Sequence, residues 1–300
     1  MVNPIEIILI PTIMIIIGYA LKRNNVLNAK DSTTLSKIVI NISLPSLIFV
    51  NLSSAHINSN MAILPVASFA VSMVCMLLAY LFSRSRGYSK IKTWTLMIAA
   101  AMMNSGFIGF PITLGVFGNE GFLNAIFYDL ATTVLFVMFG MILVGEFGGD
   151  RKDVVKNGLK FVPLWAVILG LLFNFSHIEM GYVLKNVFTY LGNSTTPLIM
   201  LSLGLTIDFR EIKHYLKDSL LISLLRLVVS PLLMFGILSA IHLTGLAFNV
   251  AVLEAGMSTA MNALVLSITY NLDNKLMSSC IFTDVLLSLV TLTAIITFVV

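Results

Sequence analysis

The chain has 300 residues, of which 58% are hydrophobic and only 11% charged, whereas a soluble domain carries about 25% charge. Mean hydropathy is +0.98, and the formal net charge of +4 accompanies a pI near 9.0. These values exclude a soluble enzyme and a nucleic-acid binder and leave a polytopic membrane protein, an all-α chain surrounded by lipid.

A helix crossing about 30 Å of hydrocarbon needs about 20 apolar residues. Ten stretches qualify: Ile5–Leu21, Leu35–Leu52, Met61–Phe82, Trp94–Phe117, Phe122–Val144, Phe161–Phe175, Val187–Ile207, Ser219–Leu243, Leu246–Tyr270 and Leu276–Val300. The sixth is short. No basic residue precedes the first and Lys22 and Arg23 follow it, the reverse of a secretory signal, so it reads as a retained helix. Cys75 and Cys280 sit inside apolar runs, which points to neither a disulfide framework nor a zinc site. His56 and His242 fall at a loop and a helix end and read as interfacial residues.

Charge placement orients the spans. Sixteen of the 18 Lys and Arg lie in odd-numbered loops, among them Arg84, Arg86, Arg151, Lys152, Lys156, Lys160 and Arg210. Even loops hold only Lys185, and Arg226 lies inside span eight. Basic loops stay cytoplasmic, which predicts both termini outside and a multi-pass protein of the cell membrane.

Pro11 and Gly18 recur as Pro163 and Gly170, 152 residues on, and Asn41 and Pro45 recur as Asn193 and Pro197 at the same spacing. Ile126–Asp129 recurs as Ile281–Asp284 after 155 residues. Five spans per half force the second copy to insert upside down. The expected architecture is ten transmembrane helices in a five-plus-five inverted repeat, residues 1–150 and 151–300. Such repeats serve secondary transporters, whose substrate sites lie where helices are broken near the midplane.

Two spans carry suitable interruptions. Span four contains Asn104, Ser105, Gly106, Gly109 and Pro111; span nine contains Glu254, Gly256, Ser258, Met261 and Asn262, with Ser258 154 residues after Asn104. A proline lacks an N–H and clashes with the preceding turn, and half-helix N-termini meeting there would suit a carboxylate. The competing explanation is close helix packing through small residues.

The run from Asn104 to Pro111, the Asn41-x-x-x-Pro45 helix and the stretch from Met261 to Leu266 ending at Tyr270 resemble the auxin efflux carrier family, whose bacterial members resemble malonate and other organic-acid permeases. The resemblance covers nearly the whole chain. It implies a fold shared with bile-acid sodium symporters, a scaffold bundle bearing the Asn41/Pro45 and Asn193/Pro197 breaks, and a transport bundle in which broken helices 4 and 9 cross. It also implies that Asn104 and Ser105 line the substrate site from one crossover, Met261 and Asn262 from the other. Many relatives have proline where this chain has Ser258, so glycine and polar residues would break the helix here.

Four ionisable groups fall within spans, where a charge costs at least about 2.5–3.5 kcal/mol. Arg226 and Asp284 lie at similar depth and are expected to form an ion pair, structural or functional. Asp129 and Glu254 share a depth without an evident cation, which makes them either proton-coupling carboxylates or neutral acids hydrogen-bonded between helices. Hydroxyls and amides in span nine keep sodium open as coupling ion. The expected function is a secondary carrier of small organic anions with no cofactor beyond H+ or Na+, no enzyme activity, membrane lipid as its surroundings and a homodimer as one option. The alternatives are a bile-acid-type sodium symporter and, remotely, an intramembrane aspartyl protease using Asp129 and Asp284.

Overall fold

The computed structural model describes residues 4–207 and 212–299; Arg210 of the seventh loop and Val300 of the tenth span lie outside them. The first eight helices are α1 (Pro4–Arg23), α2 (Ala29–Ile38), α3 (Leu44–Ser53), α4 (Ile63–Ser85), α5 (Lys90–Ala101), α6 (Phe110–Phe147), α7 (Arg151–Leu159) and α8 (Val162–Phe175). The remainder are α9 (Tyr182–Asn193), α10 (Thr195–Thr206), α11 (Ile212–Leu224), α12 (Ser230–Ala240), α13 (Leu246–Ala255), α14 (Met261–Thr269) and α15 (Asn274–Val299). Among the described residues no strand forms; a single antiparallel bridge joins Met103 to Thr259. Among the described residues five helical stretches are long and apolar enough to cross a bilayer, six if the bent pair α7–α8 counts as one.

Three wide turns share one cause. Val39–Ser43, Ser105–Gly109 and Leu225–Val229 are π-helical, and each runs into a helix carrying proline in its first turn, Pro45, Pro111 and Pro231. The proline ring cannot follow a tight α-turn and offers no N–H. The residue before it bonds five back instead: Leu44 N–H to Val39 O, Phe110 N–H to Ser105 O and Ser230 N–H to Leu225 O. Spans two and eight therefore continue through their prolines with a bulge. Span seven is cut at Ser194, between α9 and α10.

The helix α6 is not one straight rod. Twelve residues along a continuous helix put two side chains about 18 Å apart, yet the Phe110 and Phe122 ring centroids are 5.2 Å apart. The chain doubles back at Gly118, whose φ of 64° and ψ of −159° are open to glycine alone. The two spans expected on either side are thus the arms of a hairpin. No neighbour lies near the missing Gly118 side chain, so Gly118→Ala should cost about 1–2 kcal/mol through backbone strain alone. A thermal-shift measurement in detergent would check this.

Packing divides the helices into two groups. α1 lies along α10, α2 along α10, and α3 along α8 and α9; α4 packs on α5, α6 and α12, α13 on α6 and α12, and α15 on α5, α11 and α14. The two groups meet chiefly where α1 touches α15 and α6. Small residues bring the first group close: a Cβ on Gly18 would meet the backbone of Leu201 and Gly204, and one on Gly170 would meet Leu52. The expected breaks around Asn41 and Asn193 meet here through Ser43 and Ser194, hydroxyl to hydroxyl at 2.7 Å. Helix α7, in sequence read as loop, joins the end of α6 to α8.

Candidate functional site

Span four unwinds at Met102–Asn104, just ahead of the expected position, and Pro111 sits harmlessly in the first turn of α6. Span nine unwinds from Gly256 to Ala260. The two stretches run antiparallel, with Asn104 N–H donating to Ser258 O and Ala260 N–H to Met102 O, both at 2.9 Å. Unwound backbone buried in an apolar environment must find partners. Each break supplies the other's.

A cavity of about 240 Å³ opens beside this crossing, between the two helix groups. Asn104, Gly106, Asp129, Met261 and Asn262 line it, with Thr132 and Thr133 on α6 and an apolar wall from Ile40, Leu44, Ile48 and Phe136. Among the described residues lining it none is Lys or Arg. The Nδ2 of Asn104 is buried without a protein partner, a costly condition unless a ligand or water completes it, while Thr132 stands within reach of the Asp129 carboxyl group. The helical stretches that begin at Ser105 and Met261 both start at this junction, which places the positive ends of two helix dipoles there.

Other expected residues stand behind this surface. Glu254 is fully buried; Thr113 Oγ1 donates to its Oε1 at 2.7 Å, while Oε2 has no partner. Gly109 abuts that carboxyl group so closely that a Cβ would collide with it. The Ser105 hydroxyl, within electrostatic reach of both Asp129 and Glu254, makes no well-formed hydrogen bond. Ser258 contributes its carbonyl to the crossing and leaves its hydroxyl unpaired, and Gly256 packs against Ile295. Asn41 does not reach the site: it is exposed and bonds Lys37 O at 2.8 Å, and Asn193 is exposed at the end of α9. Pro45 and Pro197 sit in the first turns of α3 and α10, also outside the cavity lining.

The direct ion pair expected between Arg226 and Asp284 is not formed. The fully buried Arg226 guanidinium donates to Met257 O at 3.1 Å and to Ala255 O and Ser230 Oγ at 3.4 Å. Asp284 accepts from Ser223 Oγ, from Thr259 N–H at 3.2 Å and from Thr259 Oγ1 at 2.6 Å. The two charges hold opposite faces of one helix break, the cation on its orphan carbonyls and the anion on its N–H. Thr259, at the bridge to Met103, and not Ser258 reaches Asp284. Thr113, Thr132 and Thr259 escaped sequence reading because lone threonines in apolar stretches carry no pattern; only their places beside Glu254, Asp129 and Asp284 could have singled them out. Asp284 does not line the cavity that Asp129 lines, so the two aspartates do not share a water as a protease pair would.

A cavity with a few polar groups at paired helix breaks in a multi-pass membrane protein is the kind of site a membrane transporter uses. A family profile described as "Membrane transport protein" matches residues 5–160 and 151–296. The chain is 44% identical over 289 residues to a protein named as an uncharacterized transporter of Methanothermobacter thermautotrophicus, covering 96% of this chain and 95% of the relative. It is 34% identical to one of Methanocaldococcus jannaschii, over 95% and 96% of the two chains. A transporter of Escherichia coli is similar at 20% identity over 88% of this chain and 87% of its own. The chain belongs to this membrane transport protein family, the auxin efflux carriers that its crossover motifs resemble.

Proposed function

We propose that the protein is a secondary active transporter of small organic anions, mono- or dicarboxylates, that binds its substrate at the crossing of the two broken helices and works by alternating access. The observation that carries this reading is the cavity at that crossing, largely apolar but holding Asn104, Asn262 and Asp129, set between two helix groups that could move on one another. Its volume of about 240 Å³ falls below the range of roughly 300–1,000 Å³ that holds drug-sized ligands, which favours small carboxylates over large bile-acid-like anions.

Ten crossings in two inverted halves, with both termini outside, belong to the same reading. Contacts that recur under a constant shift support it. Gly18 packs on Gly204 while Gly170 packs on Leu52. Gly170 lies 152 residues after Gly18 and Gly204 lies 152 after Leu52, so the shift carries each residue of the first half onto its counterpart and turns one contact into the other. The two hydrogen bonds of the crossing interchange under a shift of 156, as a pseudo-twofold axis through Met103 and Thr259 requires. Inverted repeats can exchange conformations and thereby expose one site to either side.

The cavity offers an acid and no base, so a substrate carboxylate arriving beside Asp129 meets like charge. A proton on Asp129, with Glu254 behind it, removes the repulsion and makes the carrier a proton symporter. Uptake into proteoliposomes across a carboxylate panel, with proton and sodium gradients imposed separately, tests this. Flux driven by the proton gradient is expected; no carboxylate flux under any gradient would overturn the reading. Asn104→Ala and Asn262→Ala should each lower uptake about tenfold, the equivalent of one lost hydrogen bond to a charged group at about 1.4 kcal/mol. Asp129→Asn, a permanently neutral side chain, should flatten the fall in uptake as pH rises. A pH profile that survives both Asp129→Asn and Glu254→Gln would sink proton coupling.

A further inference from the structure

Helix α7 has two unlike faces. Val154, Asn157 and Gly158 face inward and line the cavity, Val154 against Gly140 and Gly158 against Val137. The outer face carries Arg151, Lys152, Lys156 and, just past the helix end, Lys160 around a shallow groove that includes Val155 and Leu159. Those two apolar residues are 48% and 55% exposed. Water does not suit the apolar pair, and hydrocarbon does not suit four cations. The combination fits the headgroup layer, where basic side chains reach phosphates and short apolar ones dip toward the acyl chains.

An independent residue fixes that depth. Trp165, one turn into α8, is half-exposed and donates Nε1–H to Leu159 O at 2.6 Å, tying its ring to the end of α7. Indole rings with one apolar and one polar side collect at this level of the bilayer. The helix packs on α6 by its inner face, and the chain breaks at both of its ends. It follows Gly148 and Gly149, with φ of 87° and 130°, and meets α8 at a bend of 52°. It is a strut, hinged at both ends, between the group containing α6 and the group containing α8.

We propose that the outer face of α7 binds anionic phospholipid headgroups and that this contact anchors the strut forming part of the cavity wall. The inference goes beyond the transport reading and needs no substrate for its test. In a Trp94→Phe background, Trp165 is the one remaining tryptophan, so its fluorescence reports lipid contact at the end of α7. Reconstituted protein should be quenched several times more strongly by phosphatidylglycerol with brominated acyl chains than by equally brominated phosphatidylcholine. Lys152→Gln combined with Lys156→Gln should abolish the preference while leaving quenching by the phosphatidylcholine unchanged, which shows that the variant still sits in the bilayer as before. Amide exchange over residues 148–160 should slow several-fold when phosphatidylglycerol is added to phosphatidylcholine vesicles, and not in the variant. Equal quenching by the two lipids, a preference that survives the substitutions, or exchange indifferent to lipid charge would each overturn the proposal.

Discussion

Arg226→Met should destabilise the folded protein by about 3–5 kcal/mol, the cost of removing one member of a buried charge arrangement. The guanidinium holds the carbonyls of Ala255 and Met257, which have lost their helical partners where α13 ends. Methionine fills much of the volume and satisfies neither. It also leaves Asp284 as an uncompensated buried acid, bonded to Ser223 and Thr259 but without a cation nearby. Exchanging the charges, Arg226→Asp with Asp284→Arg, should not restore stability. An arginine cannot accept the Thr259 N–H, and an aspartate cannot donate to carbonyls. The neutral combination of Arg226→Met with Asp284→Asn should recover part of the loss, because no lone charge remains. Thermal unfolding of the four proteins in detergent decides it; full rescue by the exchanged pair would mean the two side chains bind each other directly.

Gly204→Ala should cost about 3 kcal/mol, the upper end of what overpacking does in a close-packed interior. The new methyl group would meet main-chain atoms of α1: the Ile15 carbonyl, the Tyr19 nitrogen at 2.7 Å and the Gly18 Cα at 2.8 Å. Backbone cannot turn aside as a side chain can, so α1 and α10 must separate. Gly170→Ala, at the corresponding contact of α8 with α3, meets the Leu52 side chain, whose Cβ lies at 3.0 Å, and should cost far less. Yield of monodisperse protein and midpoint of thermal unfolding should rank the variants in that order. Equal behaviour would mean that the α1–α10 interface yields as readily as a leucine side chain.

What could be read from the sequence depended on how local its cause was. Proline and glycine act on their own turn, so the interruptions at Asn104–Pro111 and Glu254–Asn262 announced themselves. The division of spans at Phe117 and Phe122 came from hydropathy, and Gly118 did not stand out as the turning point. Loop charge announced itself too, because the bilayer penalises it residue by residue. Partner choice did not. Arg226 and Asp284 were legible as buried charges at one depth, but the unwinding that offers Arg226 a set of carbonyls and Asp284 an N–H is a property of span nine. Asn41 and Asn193 share a spacing with their prolines, yet both face outward, because a repeat in numbering does not say which side of a helix is turned to the centre. Likewise α7 is a helix made of residues that look like a solvated loop, since its apolar face is only Val154 and Gly158.

The tie between Met102–Asn104 and Ser258–Ala260 consists of main-chain atoms only. It therefore asks nothing of the side chains at those positions beyond their fitting. Exchanging those side chains should therefore leave the joint between spans four and nine intact. Backbone holds the two three-residue stretches together, and what their side chains present to the cavity can change independently of it.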